Sequence, residues 1–300
     1  MKMIYLFVAL AALAFVNRGP ASLYEAGSMD EPHPDPDTLT ARVVTWHHLK
    51  SGKEKEGVSR EVLRGATRDL SLLDISAFTL DAGQSTAAEG RPSPGGQASH
   101  NGKSSPTNDQ AANADLLVIV KEGSLTVTLP SSSGDNPPVS PKVLDAGGVA
   151  LIAAGSSPQF TNASTAAVTY YLFRFQSRSP EDRGRARQAG PPFLLDWKEM
   201  EMKKTDKGES RQIFSRSLAW LGKIDMHATT LNPGEVSHAP HIHRAEEIIL
   251  MRSGHVQEYI GGQYHKASAG DLIFLPSGVP HALENKSDQR CEYFALQWQG

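Results

Sequence analysis

Three histidines and two glutamates crowd the stretch "HAPHIHRAEEIILMRSG", residues 238–254. Within it the spacing is His241-x-His243-x3-Glu247-x6-Gly254, and further on Gly270-x5-Pro276-x-Gly278-x2-His281-x3-Asn285. On a strand, residues i and i+2 point to the same face, so His241 and His243 can aim two imidazoles at one point. The chain then turns at Arg244-Ala245 and re-enters a strand at Glu247, which can add a carboxylate. The tight turn "PSGVPH" can deliver His281 to the same place. Three neutral ring nitrogens and one carboxylate suit one divalent transition-metal ion and leave a position or two for water or a ligand. Four such groups in an apolar barrel would be costly without an ion or a hydrogen-bond network. His238 and Glu246 are expected outside this set, as solvated surface groups. Pro240 interrupts the strand after His238, and Glu246 should face away from its neighbour Glu247.

The elements that must position these residues repeat along the chain. "LDISAFTLDAG" (73–83) matches "IDMHATTLNPG" (224–234) at an offset of 151. "LLVIVKEG" (116–123) matches "EIILMRSG" (247–254) at 131, and 147–177 matches 270–300 at 123. The falling offset locates two insertions in the first copy, one Gly/Ser/Pro/Asn-rich and the other around "PSSSGDNPP", both read as exposed loops. Each copy consists of short β-rich runs split by Gly, Pro and Asn turns, with no long amphipathic helix. The fold class is therefore all-β, in two tandem units that would each form a sandwich or a small barrel.

The two spaced motifs in 234–285 resemble those of the cupin family, with one extra residue between Gly234 and His241. The resemblance implies two tandem cupin-type jelly-roll β-barrels, a bicupin, with the metal on His241, His243, Glu247 and His281 inside the second. The expected organisation is a signal peptide over 1–21, a flexible lead-in over 22–40, a degenerate cupin domain over 41–177, a linker over 178–212 and a metal-binding cupin domain over 213–300. The first copy lacks the ligands: Glu247 falls on Leu116, His281 on Pro158 and Pro276 on Ala153, while the turn glycines Gly147 and Gly155 and the asparagine Asn162 are kept. His100, in the first inserted loop, has no second ligand beside it. This copy is read as structural, free to cover the barrel mouth or to form a homodimer surface.

Composition narrows the partners. A net charge of -3 with 21% charged residues and no basic stripe argues against nucleic acid. Cys291 is the sole cysteine, so no intrachain disulfide forms, and it is read as a strand residue. Lys2 followed by the apolar run Met3–Val16, too short to span a bilayer, reads as a signal peptide with cleavage after Ala21. The mature protein is then expected outside the cytoplasm, with no stable membrane association. "NAS" (162–164) and "NKS" (285–287) occupy the same repeat position and are read as turn asparagines.

The expected function is that of a metal-dependent enzyme acting on a small oxygen-rich molecule: a carboxylate, an enediol or something sugar-like. The alternatives are a non-catalytic metal- or sugar-binding module and a bicupin similar to the ureidoglycine aminohydrolases or to the dioxygenases. Decarboxylation and isomerisation also lie within the resemblance, and the spacing does not choose among Mn, Fe, Ni, Zn and Cu. Candidate lining residues beside the ligands are Met226, His227, Tyr293 and Gln297, with the inward face left open.

Overall fold

Short runs of alternating burial become strands wherever one face can be covered and the other turned to a second layer. The structure is a computed structural model and describes residues 38–87, 114–129 and 140–300. The expected signal peptide, the lead-in up to residue 37 and His100 lie outside the described residues.

Four sheets hold the strands of the described residues. In the second half a seven-stranded sheet runs Arg42–Val44, Leu272–Leu275, Glu246–Ser253, Cys291–Gln299, Lys223–Leu231, Gly208–Arg216, Lys203–Thr205. A three-stranded sheet of Gln263–Ser268, His255–Ile260 and His281–Glu284 packs against it to close the barrel. The first half repeats the plan, with a seven-stranded sheet running Phe193–Leu195, Val149–Ile152, Asp115–Glu122, Val168–Ser177, Leu70–Leu80, Gly57–Gly65, Ser51–Glu54. Its second sheet has four strands, Ser85–Ala87, Gln159–Thr161, Ser124–Thr128 and Lys142–Asp145. The repeat holds to single residues. Gly57 pairs with Leu80 and Gly208 with Leu231. Their φ angles are 148° and 146°. A Cβ there would stand 2.0 Å from the Thr79 carbonyl oxygen and 2.1 Å from that of Thr230, so only glycine fits.

The two large sheets trade edge strands. Arg42–Val44 precedes the first barrel but pairs with Leu272–Leu275 of the second, Arg42 opposite Phe274. Phe193–Leu195 precedes the second barrel but pairs with Val149–Ile152 of the first, Phe193 opposite Leu151. Each arm leads into a tryptophan flanked by two cations. Trp46 has Arg60 and Lys121 at 5.1 and 4.7 Å, and Trp197 has Arg211 and Arg252 at 4.6 and 3.9 Å. The sheets thus reach across the expected limits at 177 and 213, and Arg42–Val44, inside the expected first domain, serves the second sheet. Part of the expected linker is strand in the first barrel, and another part, from Lys203, is strand in the second.

The large sheets also share a core. Leu73, Ile75, Phe173 and Phe175 from one meet Ile224, Met226, Ile248, Phe294, Leu296 and Trp298 from the other. A fully buried side chain of this size contributes roughly 1.5–3 kcal/mol. The alternate residues of the same strands turn inward, so Leu231, Ile249, Tyr293 and Ala295 fill the second barrel. This settles the open parity: Met226 belongs to the shared core, away from the barrel interior.

Among the described residues the one α-helix is Arg183–Gln188, capped by Asp182, which accepts from the Gly184 and Arg185 amides. No helix there is long and apolar enough to cross a membrane. Cys291 is a buried free thiol at the start of its strand. Asn162 and Asn285 are fully buried. Asn285 Nδ2 donates to the carbonyls of Leu231, Asn232 and Gln289 at 3.1, 3.1 and 2.8 Å, so it holds a turn.

Candidate metal centre

His241 and His243 do not lie on a regular strand. They sit on an extended segment pinned by one backbone pair, with the His241 amide 3.2 Å from the His281 carbonyl and the His281 amide 3.1 Å from that of His241. The i, i+2 relation still applies, and Ile242 between them points outward at 59% exposure. The Gly278 amide donates to the His243 carbonyl at 3.0 Å, which ties the "PSGVPH" turn to the same segment. Gly278 has φ 80°, the left-handed conformation this turn requires.

Three of the four expected ligands form one group: ring nitrogens of His241, His243 and His281 lie within 4.8 Å of one another. Glu247 adjoins it, its Oε2 being 3.0 Å from His243 Nε2 and 3.4 Å from His281 Nε2. The tautomers follow from the other ring nitrogens. His243 Nδ1 is 2.8 Å from the Ala245 carbonyl and His281 Nδ1 is 2.9 Å from that of Val279. A carbonyl only accepts, so both Nδ1 atoms carry the hydrogen and each neutral ring turns an Nε2 lone pair toward Glu247. His281 Nε2 and His241 Nδ1 are buried without a hydrogen-bond partner. Lone pairs facing a carboxylate, with buried nitrogens left over, fit a cation at their centre.

A proton can stand where the cation would. Burial alone would raise the Glu247 carboxyl, but His243 and His281, donating through Nε2 when protonated, hold it down to about 2. Its bond to Glu247 raises His243. Burial lowers His241 and His238, and the neighbouring imidazoles add to it.

Of the two residues expected on the surface, His238 keeps to that reading and Glu246 departs from it. His238 is exposed, yet its ring lies edge-on to His241 with centroids 4.1 Å apart. Glu246 is fully buried. It accepts from Thr67 Oγ1 at 2.6 Å, the Arg68 and Asp69 amides at 3.0 and 3.2 Å, and Trp298 Nε1 at 2.9 Å. Strand parity does send it away from Glu247, but that face is covered by the other half and not by water.

With this geometry in hand, residues 227–296 match the family profile for the cupin domain. The fold extends the likeness to both halves. AerE from Microcystis aeruginosa has a TM-score of 0.56 at 13% identity, covering 84% of this chain and 97% of that one. Oxalate decarboxylase from Lactobacillus farciminis, in complex with formate, gives 0.60 at 14% identity, covering 89% of each chain. Residues 227–296 are a cupin domain, and the chain as a whole has the two-barrel bicupin fold. Oxalate decarboxylase from Bacillus subtilis, which has Mn(II) centres, gives 0.58 at 15% identity over 88% of this bicupin and 79% of that chain. Identities this low speak for the fold and not for the reaction. No curated protein matches the bicupin in sequence.

Beside the imidazoles the bicupin has a cavity of about 470 Å³ in its second barrel. His227, Tyr293 and Gln297 line it as candidates from the sequence, together with Thr229, Ser237 and Glu209. The hairpin residues Thr205, Asp206 and Lys207 form part of its wall. Sequence reading missed them because they fall in the expected linker, where only the doublet Lys203-Lys204 and the Gly208 turn hinted at a hairpin. Lys207 Nζ donates to the carbonyls of Val236 and Ser237 at 2.6 and 3.0 Å and so ties the hairpin to the loop before His238. In the first barrel Leu116 and Pro158, which replace Glu247 and His281, are both buried.

Proposed function

We propose that this bicupin is a metal-dependent enzyme whose second barrel binds one divalent transition-metal ion on His241, His243, Glu247 and His281. The observation that carries the reading is the convergence of the His243 and His281 Nε2 atoms on Glu247, with His241 Nδ1 buried beside them without a partner. The carbonyls of Ala245 and Val279 fix the two tautomers and keep Nε2 free. Glu247 supplies one negative charge against the ion. Ile249, Leu231 and Leu283 give the cavity its apolar wall, where electrostatic contacts strengthen. When bound, such an ion supplies Lewis acidity toward a carboxylate, enediol or carbonyl oxygen, or oxygen activation if it is redox-active.

The hydroxyls of Thr205, Ser210, Thr229, Ser237 and Tyr293 and the amide of Gln297 line the same cavity and suit a small oxygen-rich molecule. Manganese is the first ion to try, because the Bacillus subtilis relative carries it. The test is elemental analysis of protein purified without a metal-affinity tag, followed by assays of oxygen consumption and of turnover of small acids and sugars. One equivalent of metal with turnover supports the enzyme reading. Metal and ligand binding without turnover favours the non-catalytic binding module. The apolar run Met3–Val16 supports export, and N-terminal sequencing of native protein that returned Met1 from a soluble cytoplasmic fraction would refute it.

A further inference from the structure

We infer that the first half, which lacks the ligands, is the platform that fixes the ligand-bearing segments of the second through the single loop Thr67–Asp69. The inference rests on the metal reading above. Three contacts converge on that loop. Glu246, next to Glu247, places four hydrogen bonds: three to the loop, on Thr67 Oγ1 and the Arg68 and Asp69 amides, and one to Trp298. Arg244, next to His243, forms a two-pronged pair with Asp69, Nη1 to Oδ2 at 2.8 Å and Nη2 to Oδ1 at 2.7 Å. Arg68 Nη1 reaches Ser277 Oγ at 3.4 Å, in the turn that delivers His281. One loop therefore touches both segments that carry the centre. Glu246 is fully buried and its carboxylate accepts all four bonds from protein groups, so they set the rotation of the strand at Glu247.

The chain holds its own control. The same turn recurs in the second half: the Thr67 amide bonds the Leu70 carbonyl at 2.9 Å, and the Leu218 amide bonds that of Leu221 at 2.9 Å. At the 151 offset Thr67, Arg68 and Asp69 become Leu218, Ala219 and Trp220. Glu246 corresponds to Asp115 and Trp298 to Phe175, each pair holding the same register, Glu246 opposite Trp298 and Asp115 opposite Phe175. The hydroxyl, the carboxylate of Asp69 and the indole N–H have all gone. Asp115 accepts from the Ala154 amide at 3.0 Å through Oδ1, while Oδ2 is buried without a partner. The clamp is built only toward the barrel that has ligands. Like glutamates side by side thus divide the work: Glu247 faces the centre and Glu246 faces the platform.

The test measures Co(II) affinity and the visible spectrum of the Co(II) protein for the full chain and for Glu246→Ala, Asp69→Asn and Arg244→Ala, with thermal melts of each metal-free protein. A loss of about tenfold or more in affinity, with an altered spectrum at a retained fold, is expected, since residues that orient ligands carry effects of this size. Glu246→Gln keeps one acceptor oxygen and should fall between. Asp115→Asn, the equivalent acid of the first barrel, should leave affinity and spectrum unchanged. If Glu246→Ala does not fold, Asp69→Asn and Arg244→Ala decide the matter, because Arg244 is itself partly exposed. Folded variants with unchanged affinity and spectrum overturn the inference, as does an equal loss in Asp115→Asn. Wild-type protein that takes up no Co(II) overturns the metal reading and this inference with it, a result distinct from the other two.

Discussion

His243 presents Nε2 to Glu247 Oε2 at 3.0 Å while its Nδ1 is already committed to the Ala245 carbonyl at 2.8 Å. Nε2 can therefore face the carboxylate only with a second proton or a cation between them. Proton and metal compete for one place. The bond to Glu247 raises His243 above the ordinary imidazole range, so the metal-free protein keeps that proton further toward neutrality. Metal uptake should release protons, and apparent affinity should already fall as pH drops through neutrality, above the ordinary imidazole range. Calorimetry in buffers of different ionisation heat reads this directly. Heats independent of buffer at every pH would count against the arrangement.

Removing ligands should remove the ion. The double variant His241→Ala, His243→Ala takes away two of the three grouped imidazoles and should bind no stoichiometric transition metal. A full equivalent retained in elemental analysis would sink the assignment of these residues.

A buried acid sets a second pH dependence. Glu258, on the strand His255–Ile260, is fully buried and neither carboxyl oxygen has a partner. Burial, with the charge of Glu247 adding to it, pushes its carboxyl up to about 9 from an ordinary 4.5. The folded protein then holds a proton that the unfolded chain has released. Stability should decline as pH rises from the lower value to the upper, by up to about 1.4 kcal/mol per pH unit. Glu258→Gln cannot lose a proton, so its stability should vary less with pH and exceed the wild type most at the alkaline end. Parallel melting curves across pH would contradict this.

The tryptophan arms should matter in proportion to their packing. Trp46 lies between Arg60 and Lys121 and edge-on to Tyr171, with ring centroids 5.6 Å apart. It is only half-buried. Trp46→Ala should cost about 2 kcal/mol in urea unfolding, below the range for fully buried aromatics. Trp197→Ala, its counterpart in the second arm, should behave alike. A change within about 0.5 kcal/mol in both would show that the arms do not hold the sheets.

Much of this was legible in the spacing of a few residues. The repeat offsets carried over to the strand pairings of Gly57 and Gly208, because a glycine without room for Cβ leaves no alternative. The grouping of His241 and His243 was legible because imidazoles two apart share a side whether or not they sit in a regular strand. The fate of Glu246 was not. A sequence shows that it opposes Glu247, but not that its partners stand 177 to 179 residues away, on Thr67, Arg68 and Asp69. Likewise, Lys223–Leu231 alternates two polarities that both find cover, Met226 between the sheets and His227 in the cavity wall. Local pattern cannot rank two buried faces.

The crossed arms leave the ligand-free barrel under an obligation. Arg42–Val44 seals the edge of the metal-bearing sheet, next to the fully buried Leu272, Ile273 and Phe274. Without that strand the edge would stand open to pairing with other chains. A barrel that lacks the ligands can therefore vary on its inner surface but cannot be deleted. Drift in the ligand-free half is bounded by what the other half needs sealed.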